Sequence, residues 1–502
     1  MLPSRSSRNE NPLIFSSNPF EQEFPFMSQL PDYVASVKPN PKENRAPWLT
    51  TTAATYAGVM LWFAFWQGVP MGGKGIAGGT LSQGLGTAVL ALIVAAFLCH
   101  FCCYLVPGLL GMKTGLGLAV IGTSTYGVKG GYFMPGFLMG ALQFGWLSVN
   151  AYFSGLLLSS IIFGSEPGSA AHLGLGVVWI LVATFVGMKG VKYVGAVASF
   201  TPILPLIVLG LLLVNTIGGV GEFSVEKMMD AAKTTMPDAK PAMLFGSGFL
   251  GVLSLMCAYV FGFFATAGAA GVDFGSNNKD AKSVQMAGYI GIVLATVLTG
   301  VIALLAVAGA QKTFLDKPEL LTQYNAVQLF DVVFGTGTAK ICMLLLTLAA
   351  FPSACFPTVV ASGAFKTTFP KVNPLISCGI GVLVAIILVV TQAAGSAEDV
   401  FTVVGASFGP ICGAMAADYV LSGFKWAGPR DGFNMAGWIS WFFGFLVGGV
   451  TLVVTVFLKQ EMPFVIPCPP VAAFVVGFVL YIILAKAGLE SKKLDMPQRI
   501  DL

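Results

Sequence analysis

The chain has 502 residues, of which 56% are hydrophobic and 10% are charged, against about 25% charged residues in ordinary soluble domains. This composition excludes a soluble globular protein, and the net charge of +4 gives no basis for nucleic-acid binding. Apolar runs long enough to cross a ~30 Å hydrocarbon core recur along the sequence, which predicts an all-α integral membrane protein.

Twelve membrane-spanning helices are predicted between two polar tails. Residues 1–46 are rich in Pro, Ser and Asn and are predicted to form a disordered cytosolic N-terminal tail. Residues 488–502 form a short C-terminal tail. The spans are predicted at 48–75, 84–110, 131–163, 172–188, 193–218, 243–272, 284–310, 337–366, 374–393, 399–423, 436–458 and 469–487. The stretch 325–335 before the eighth span is partly apolar and is predicted to form a short helix.

Basic residues favour an orientation with both tails in the cytoplasm. Most of the 27 Lys and Arg residues fall in the tails and in the loops that lie on the same side as the tails. Loops retained in the cytoplasm carry an excess of Lys and Arg. We therefore expect a multi-pass protein of the plasma membrane with both termini inside.

The first and sixth spans contain helix-breaking sequences at matching places. The first includes GVMLWFAFWQGVPMGG (58–73), and the sixth includes FGFFATAGAAG (261–271). Paired interrupted helices are typical of inverted-repeat transporters, in which freed carbonyls and helix ends hold ions and substrate. The pattern predicts discontinuous helices 1 and 6 in two five-helix repeats; glycines that only permit close helix packing are the alternative.

The domain organisation follows from this repeat. The transporter core is predicted at 47–423, with inverted repeats at 47–218 and 243–423, and helices 11 and 12 follow at 436–487.

A polar stripe runs along the third predicted span. At 100° per residue, Gln143, Trp146 and Asn150 fall within about a 60° sector of one helix face. Amides facing lipid would be costly, so this face is expected to point into the bundle. A flat indole beside amide donors and acceptors suits a planar heterocycle with ring N–H and C=O groups. The alternative is that the amides form hydrogen bonds between helices and that Trp146 only packs against its neighbours.

Three sequence segments resemble one transporter family. MKTGLGLAVIGTSTYGVKGGYFMPGFLMGALQFGWLSVNAYF (112–153), FATAGAAGVDFGSNNKDAK (264–282) and GASFGPICGAMAADYVL (405–421) are similar, in this order, to segments of the nucleobase–cation symporter-1 family, especially its cytosine-permease-like members. The resemblance implies a LeuT-like 5+5 inverted repeat with two extra helices, alternating access, and sodium or a proton as the coupling ion.

The resemblance also implies a set of binding residues. Substrate would stack between Trp146 and Phe263, with Gln143 at its edge and Asn150 one turn beyond Trp146. The remaining substrate positions are Trp62, Thr266 and Cys355. The sodium site of sodium-coupled members corresponds to Gly58, Leu61, Ala350 and Ser353. In this chain Ala354 and Cys355 follow Ser353 where cytosine-type members carry a second hydroxyl, which weakens the expected sodium site.

The sequence therefore predicts a carrier that imports a planar nitrogen heterocycle, such as a nucleobase, hydantoin or allantoin, by cation symport. A carrier of amino acids or amines with the same fold is the alternative. No enzymatic site is expected, because the two histidines lack acidic partners at metal-ligand spacing. The expected partners are a small heterocycle and the lipid bilayer, with no organic cofactor, no nucleic acid and a monomeric state.

Overall fold

The computed structural model describes residues 30–51, 79–189, 201, 203–235, 248–314, 326–454, 458–460, 464 and 466–496. The regular elements within these ranges are helices. Ten of them are long and apolar enough to cross a membrane, and one shorter apolar helix has 17 residues. The helices used below are α1 (Leu85–Thr114), α2 (Leu118–Tyr126), α3 (Gly130–Phe163), α4 (Ala170–Met188), α5 (Ile203–Glu222), α6 (Gly248–Ala269), α7 (Ala281–Thr313), α8 (Val327–Thr368), α9 (Pro374–Val390), α10 (Asp399–Leu421), α11 (Met435–Leu452) and α12 (Pro469–Lys486).

These helices agree with the second to twelfth predicted spans, with α2 as a short addition between α1 and α3. The first predicted span lies outside the described residues except for its opening turn, Trp48–Thr51. The short helix predicted at 325–335 is present at the start of α8, where Gly335 with φ 71° ends it before the membrane-spanning part. Pro352 and Pro357 both lie inside the continuous part of α8.

The interruption predicted within 261–271 of the sixth span remains a prediction. α6 is continuous from Gly248 to Ala269, and the single residue Ala270 separates it from a five-residue helix, Gly271–Gly275. The glycines of this segment also serve close packing. A Cβ atom on Gly268 would lie 2.7 Å from Cys103 Cβ, and one on Gly271 would lie 2.8 Å from the Tyr104 ring. Small residues that bring backbones together are common at membrane helix interfaces.

The helices form two groups with separate cores. α3, α4, α8 and α9 enclose one cluster of buried side chains, centred on Phe144, Ala354 and Phe365. A larger cluster joins α1, α5, α6, α7, α10 and α12. α3 and α8 contribute to both cores, since Phe144 and Ala354 lie in the smaller core and Val149 and Leu346 lie in the larger. The boundary between the two groups therefore runs along α3 and α8.

The contact between α1 and the segment after α6 gives a sharp stability prediction. A Cβ atom on Gly111 would lie 1.9 Å from the Val272 carbonyl oxygen, whereas one on Gly379 in α9 would have no neighbour within 4 Å. We expect Gly111→Ala to lower stability by about 1–3 kcal/mol, because the backbones must separate, and Gly379→Ala to be neutral. The thermal midpoint of the purified protein and the yield of monodisperse protein measure both. Equal thermal midpoints for Gly111→Ala and Gly379→Ala would contradict the close contact of Gly111 with Val272.

Residues 30–46 are folded onto one end of the bundle, so the predicted disorder does not hold for this part of the tail. Val34 is fully buried, and the Tyr33 hydroxyl donates to the Val128 carbonyl at 2.7 Å. Burial also raises the pKa of Tyr33, which therefore remains a neutral donor. Asn40 bonds to Gly115 through its backbone N–H and to the Ser276 carbonyl through its side chain. This segment thus contacts the ends of α1, α3 and α6 at what we call the tail face.

The C-terminal segment reaches the same face through a buried ion cluster. Arg430, 2% exposed, donates to Asp418 Oδ1 at 2.8 Å and to Glu490 Oε1 at 2.7 Å. The Tyr481 hydroxyl donates to Asp418 Oδ1 at 3.2 Å, and the Arg430 backbone carbonyl accepts from the Val128 N–H at 2.8 Å. The cluster therefore connects α10, α12, the segment after α12, and the turn after α2.

Candidate functional site

Three aromatic rings meet where α3, α6 and α10 converge. The Trp146 and Phe263 ring centroids are 4.8 Å apart with an interplanar angle of 82°. Phe401 of α10 lies 4.9 Å from Trp146 at 30° and 6.2 Å from Phe263 at 86°. Edge-to-face and tilted contacts at these separations are favourable aromatic arrangements. The predicted pair from the third and sixth spans is therefore in direct contact, at the boundary between the two helix groups.

Gly262 allows this convergence. A Cβ atom at this position would lie 2.4 Å from Phe401 Cβ and 2.5 Å from the Phe401 carbonyl oxygen. α6 and α10 can therefore approach until their backbones nearly touch, which places Phe263 beside Phe401. Both helices are deeply enclosed by the rest of the bundle, so the ring cluster is remote from the lipid-facing surface.

The indole N–H of Trp146 is an unused hydrogen-bond donor. Its Nε1 atom is buried and makes no hydrogen bond to any residue that the structure describes. Leaving such a donor unpaired costs about 1–3 kcal/mol, and buried indole N–H groups usually have a partner. A ligand carbonyl or ring nitrogen would satisfy this group.

Gln143 lies one turn before Trp146 and is weakly held. It is 6% exposed, and its amide nitrogen donates to the Met139 sulfur at 3.5 Å. A thioether is a weak acceptor, so this bond would exchange readily for one to a ligand. The side chain therefore fits the predicted role at the substrate edge.

Gln143→Leu tests that role. Leu has a similar size and the Met139 contact is weak, so we expect folded yield and thermal midpoint to stay near wild type. The relative affinities for different heterocycles should change, because a hydrogen-bond donor and an acceptor at the substrate edge are lost. Competition by a panel of heterocycles measures the change, and an unaltered ranking together with reduced yield would assign the amide to folding.

Asn150 points away from the ring cluster. Its amide nitrogen donates to the Ala350 carbonyl and to Ser353 Oγ, each at 3.2 Å. Its carbonyl oxygen accepts from Trp179 Nε1 at 3.0 Å and from Ser154 Oγ at 3.3 Å. An amide has two donor and two acceptor positions, and all four are used here. The predicted stripe therefore divides, with Trp146 directed to α6 and α10 and Asn150 to α4 and α8.

The two α8 oxygens predicted to bind sodium both accept hydrogen bonds in this arrangement. Ala350 O accepts from both Asn150 and the Ser353 hydroxyl, the latter at 2.9 Å. Hard cations need several oxygens with free lone pairs at roughly 2.0–2.6 Å. Here an N–H group faces both oxygens, and Ala354 offers no hydroxyl. The remaining predicted ligands, Gly58 and Leu61, lie outside the described residues, as does Trp62.

The other predicted residues occupy different surroundings. Thr266 is 5% exposed on α6, one turn beyond Phe263. Cys355 is 1% exposed and belongs to the core of α3, α4, α8 and α9, where its carbonyl oxygen faces Gly187 of α4. The structure therefore does not bring Cys355 to the ring cluster.

Two aromatic residues were not anticipated from the sequence. Phe401 completes the ring cluster, and Trp179 fixes the Asn150 amide. Each lies in an apolar helix among many similar residues, so hydropathy alone gives no signal for either. Only the spatial neighbours of Trp146 and Asn150 identify them.

The acidic residues near the helix ends have structural partners. Asp273 Oδ1 accepts from the Leu118 N–H at 3.0 Å, at the start of α2. Asp418 belongs to the ion cluster with Arg430. Both carboxylates therefore hold the tail face together.

The eleven apolar helices in the described part of the chain define a multi-pass membrane protein. A family profile described as "Permease for cytosine/purines, uracil, thiamine, allantoin" matches residues 47–424. The chain belongs to this family, whose members are transporters and not enzymes. No curated protein sequence matches the chain significantly.

Solved structures show the same fold. An inward-facing structure of Mhp1 has a TM-score of 0.63 and 16% sequence identity, covering 90% of this chain and 92% of that chain. A closed structure of Mhp1, a nucleobase-cation-symport-1 family transporter with bromovinylhydantoin bound, has a TM-score of 0.57 and 15% identity, covering 90% and 97%. A substrate-bound, outward-open Na⁺-coupled sialic acid symporter has a TM-score of 0.55 and 14% identity, covering 93% of each chain. The architecture is therefore LeuT-like.

Proposed function

We propose that this protein imports a planar nitrogen heterocycle, such as a nucleobase, hydantoin or allantoin, by cation-coupled alternating access. The substrate stacks between Trp146 and Phe263 and is read at its edge by Gln143. Thr266 and Trp62 complete the proposed substrate positions.

The ring cluster with its unpaired indole N–H carries this proposal. A flat heterocycle offers two π faces for stacking and a carbonyl or ring nitrogen at its edge that accepts a hydrogen bond. Trp146 supplies a face and an unused donor, and Phe263 supplies a second face. Gln143 adds an amide that, among the described residues, has one weak partner. An amino acid would instead favour an accessible backbone nest and small residues for its carboxylate, whereas the described site presents aromatic rings.

Entry of the substrate requires a side-chain movement. A ring stacked between two others needs their planes about 7 Å apart, twice the usual carbon–carbon contact distance. The Trp146 and Phe263 centroids are 4.8 Å apart and nearly perpendicular. Phe263 must therefore rotate to present its face to the substrate.

The position of the rings suits alternating access. Trp146 belongs to α3, which contributes to both cores, and Phe263 belongs to α6; both rings pack against the larger core. A rocking motion of one helix group against the other would open the ring pair to either side in turn. The substrate would then be held by one residue of α3 and one residue of α6.

The tail face is proposed to be cytoplasmic. It receives both residues 30–46 and residues 488–496, and it carries Lys113, whose Nζ donates to the Phe424 carbonyl at 2.6 Å. Lys279 and Lys371 also lie in loops on this side. Basic residues next to membrane helices favour the cytoplasm, and we propose a monomer in the plasma membrane.

A thermal-shift screen tests the proposed function. Purified protein is heated with cytosine, uracil, purines, hydantoins, thiamine or allantoin, and with amino acids and simple amines as a second set. A ligand that binds only the folded state raises the midpoint in a concentration-dependent way. Stabilisation by heterocycles alone supports the proposal, and stabilisation by amino acids or amines alone would replace it with the alternative carrier.

A further inference from the structure

The hydrogen bonds of Asn150 bear on the coupling ion. Trp179 Nε1 can only donate and the Ala350 carbonyl can only accept, so these two partners fix the orientation of the amide. The nitrogen must face Ala350 and Ser353, and the oxygen must face Trp179 and Ser154. The N–H groups of the uncharged Asn150 amide, which carry partial positive charge, therefore lie between the two α8 oxygens.

We propose that the Asn150 amide nitrogen replaces a sodium ion between α3 and α8, so that this protein folds and binds its substrate without sodium. The two N–H groups satisfy the oxygens that a cation would otherwise coordinate. The inference concerns the coupling ion of the proposed transport function, but it rests on hydrogen bonds that are independent of the substrate.

The surroundings of Asn150 support this assignment. Ser353 Oγ donates to Ala350 O and accepts from Asn150, so its hydroxyl has no free proton and one fewer lone pair. Ala354 is fully buried and apolar. A sodium ion would have to displace the amide and would leave Asn150 with two unpaired N–H donors. That exchange is unfavourable for the two α8 oxygens that the structure describes, because both already accept hydrogen bonds.

Asn150→Asp provides a gain-of-function test. The carboxylate has the shape of the amide, and one oxygen keeps the bonds from Trp179 and Ser154. The other oxygen then faces the Ala350 carbonyl and Ser353 Oγ, which creates three converging oxygens and a negative charge. Such a group binds a cation or takes up a proton, so the measurement is made near pH 8 to favour the ionised form.

The experiment compares the thermal midpoints of purified proteins in sodium chloride and in choline chloride at equal concentration, without any heterocycle. Wild type is expected to show the same midpoint in both salts. Asn150→Asp should show a saturable rise of roughly 2–4 °C between zero and about 100 mM sodium. Adding Ser353→Ala to Asn150→Asp should remove the rise, and Asn150→Leu, which adds no oxygen, should show none.

A saturable sodium-specific rise in wild type that Ser353→Ala removes would overturn the proposal. A folded Asn150→Asp protein that remains insensitive to sodium would also overturn it. If Asn150→Asp does not fold, the comparison of wild type with Ser353→Ala decides alone. Because no heterocycle is present, the result does not depend on whether the proposed substrate class is correct.

Discussion

Trp146→Ala and Phe263→Ala will each weaken heterocycle binding severely while leaving the fold intact. Removing an aromatic side chain that stacks on a base costs about 1–3 kcal/mol, a loss of roughly 5–150-fold in affinity. Both rings are partly exposed, so truncation should cost less folding stability than truncation of a fully buried ring. Binding affinity of the purified variants, measured with the heterocycle that stabilises wild type, gives the result.

Graded substitutions separate stacking from hydrogen bonding. Trp146→Phe keeps a ring face but removes the indole N–H, so its affinity should lie between those of wild type and Trp146→Ala. Phe185, which is 65% exposed on α4, provides a matched control, and Phe185→Ala should bind as wild type does. Wild-type affinity in Trp146→Ala or Phe263→Ala would remove the basis of the proposed sandwich.

Arg430→Met will strongly destabilise the protein. Arg430 is buried against Asp418 and Glu490, and its loss leaves the 3% exposed Asp418 carboxylate without its cation. Breaking one partner of a buried pair costs about 3–5 kcal/mol. We expect a thermal midpoint lowered by several degrees, reduced yield, and faster proteolysis after α12, because Arg430 holds that segment through Glu490.

Two further variants show that the effect comes from the buried charge. Combining Arg430→Met with Asp418→Asn removes both charges and should recover much of the loss. Lys312→Met breaks the exposed pair of Lys312 with Glu222, joined at 2.5 Å, and should change stability by less than about 1 kcal/mol. If Arg430→Met is as mild as Lys312→Met, the cluster does not hold the tail face together.

The sequence predicted the membrane helices well because hydropathy and length are properties of single segments. α1 and α3 to α12 lie within a few residues of the predicted spans, apart from the earlier start of α8 and the start of α5, which falls at the edge of the described residues. The contact of Trp146 with Phe263 agrees with a resemblance to a known family, which helical periodicity alone could not supply.

Sequence patterns are ambiguous where a residue type has two physical uses. Glycines in the sixth span were interpreted as helix breaks, and Gly262 and Gly268 also bring α6 against α10 and α1. The polar residues 30–46 have the composition of a disordered segment, yet backbone bonds such as Asn40 N–H to Gly115 O hold them to the bundle. Composition does not indicate which backbone groups of the bundle can hydrogen-bond to such a segment.

Asn150 illustrates a limit of helical wheels. Its position predicts the sector of α3 on which it lies, but that sector borders both α6 and α8. Asn150 is directed to α8 by its hydrogen bonds with Trp179 and with the oxygens of α8. These partners come from other parts of the chain. A pattern within one helix cannot contain that information.

The most direct test is an experimental structure of the protein with a stabilising heterocycle bound. We predict that the ring of the ligand lies between the faces of Trp146 and Phe263, with those two planes about 7 Å apart and the indole Nε1 donating to the ligand. A ligand found elsewhere, with the two aromatic side chains still touching edge to face, would contradict this account.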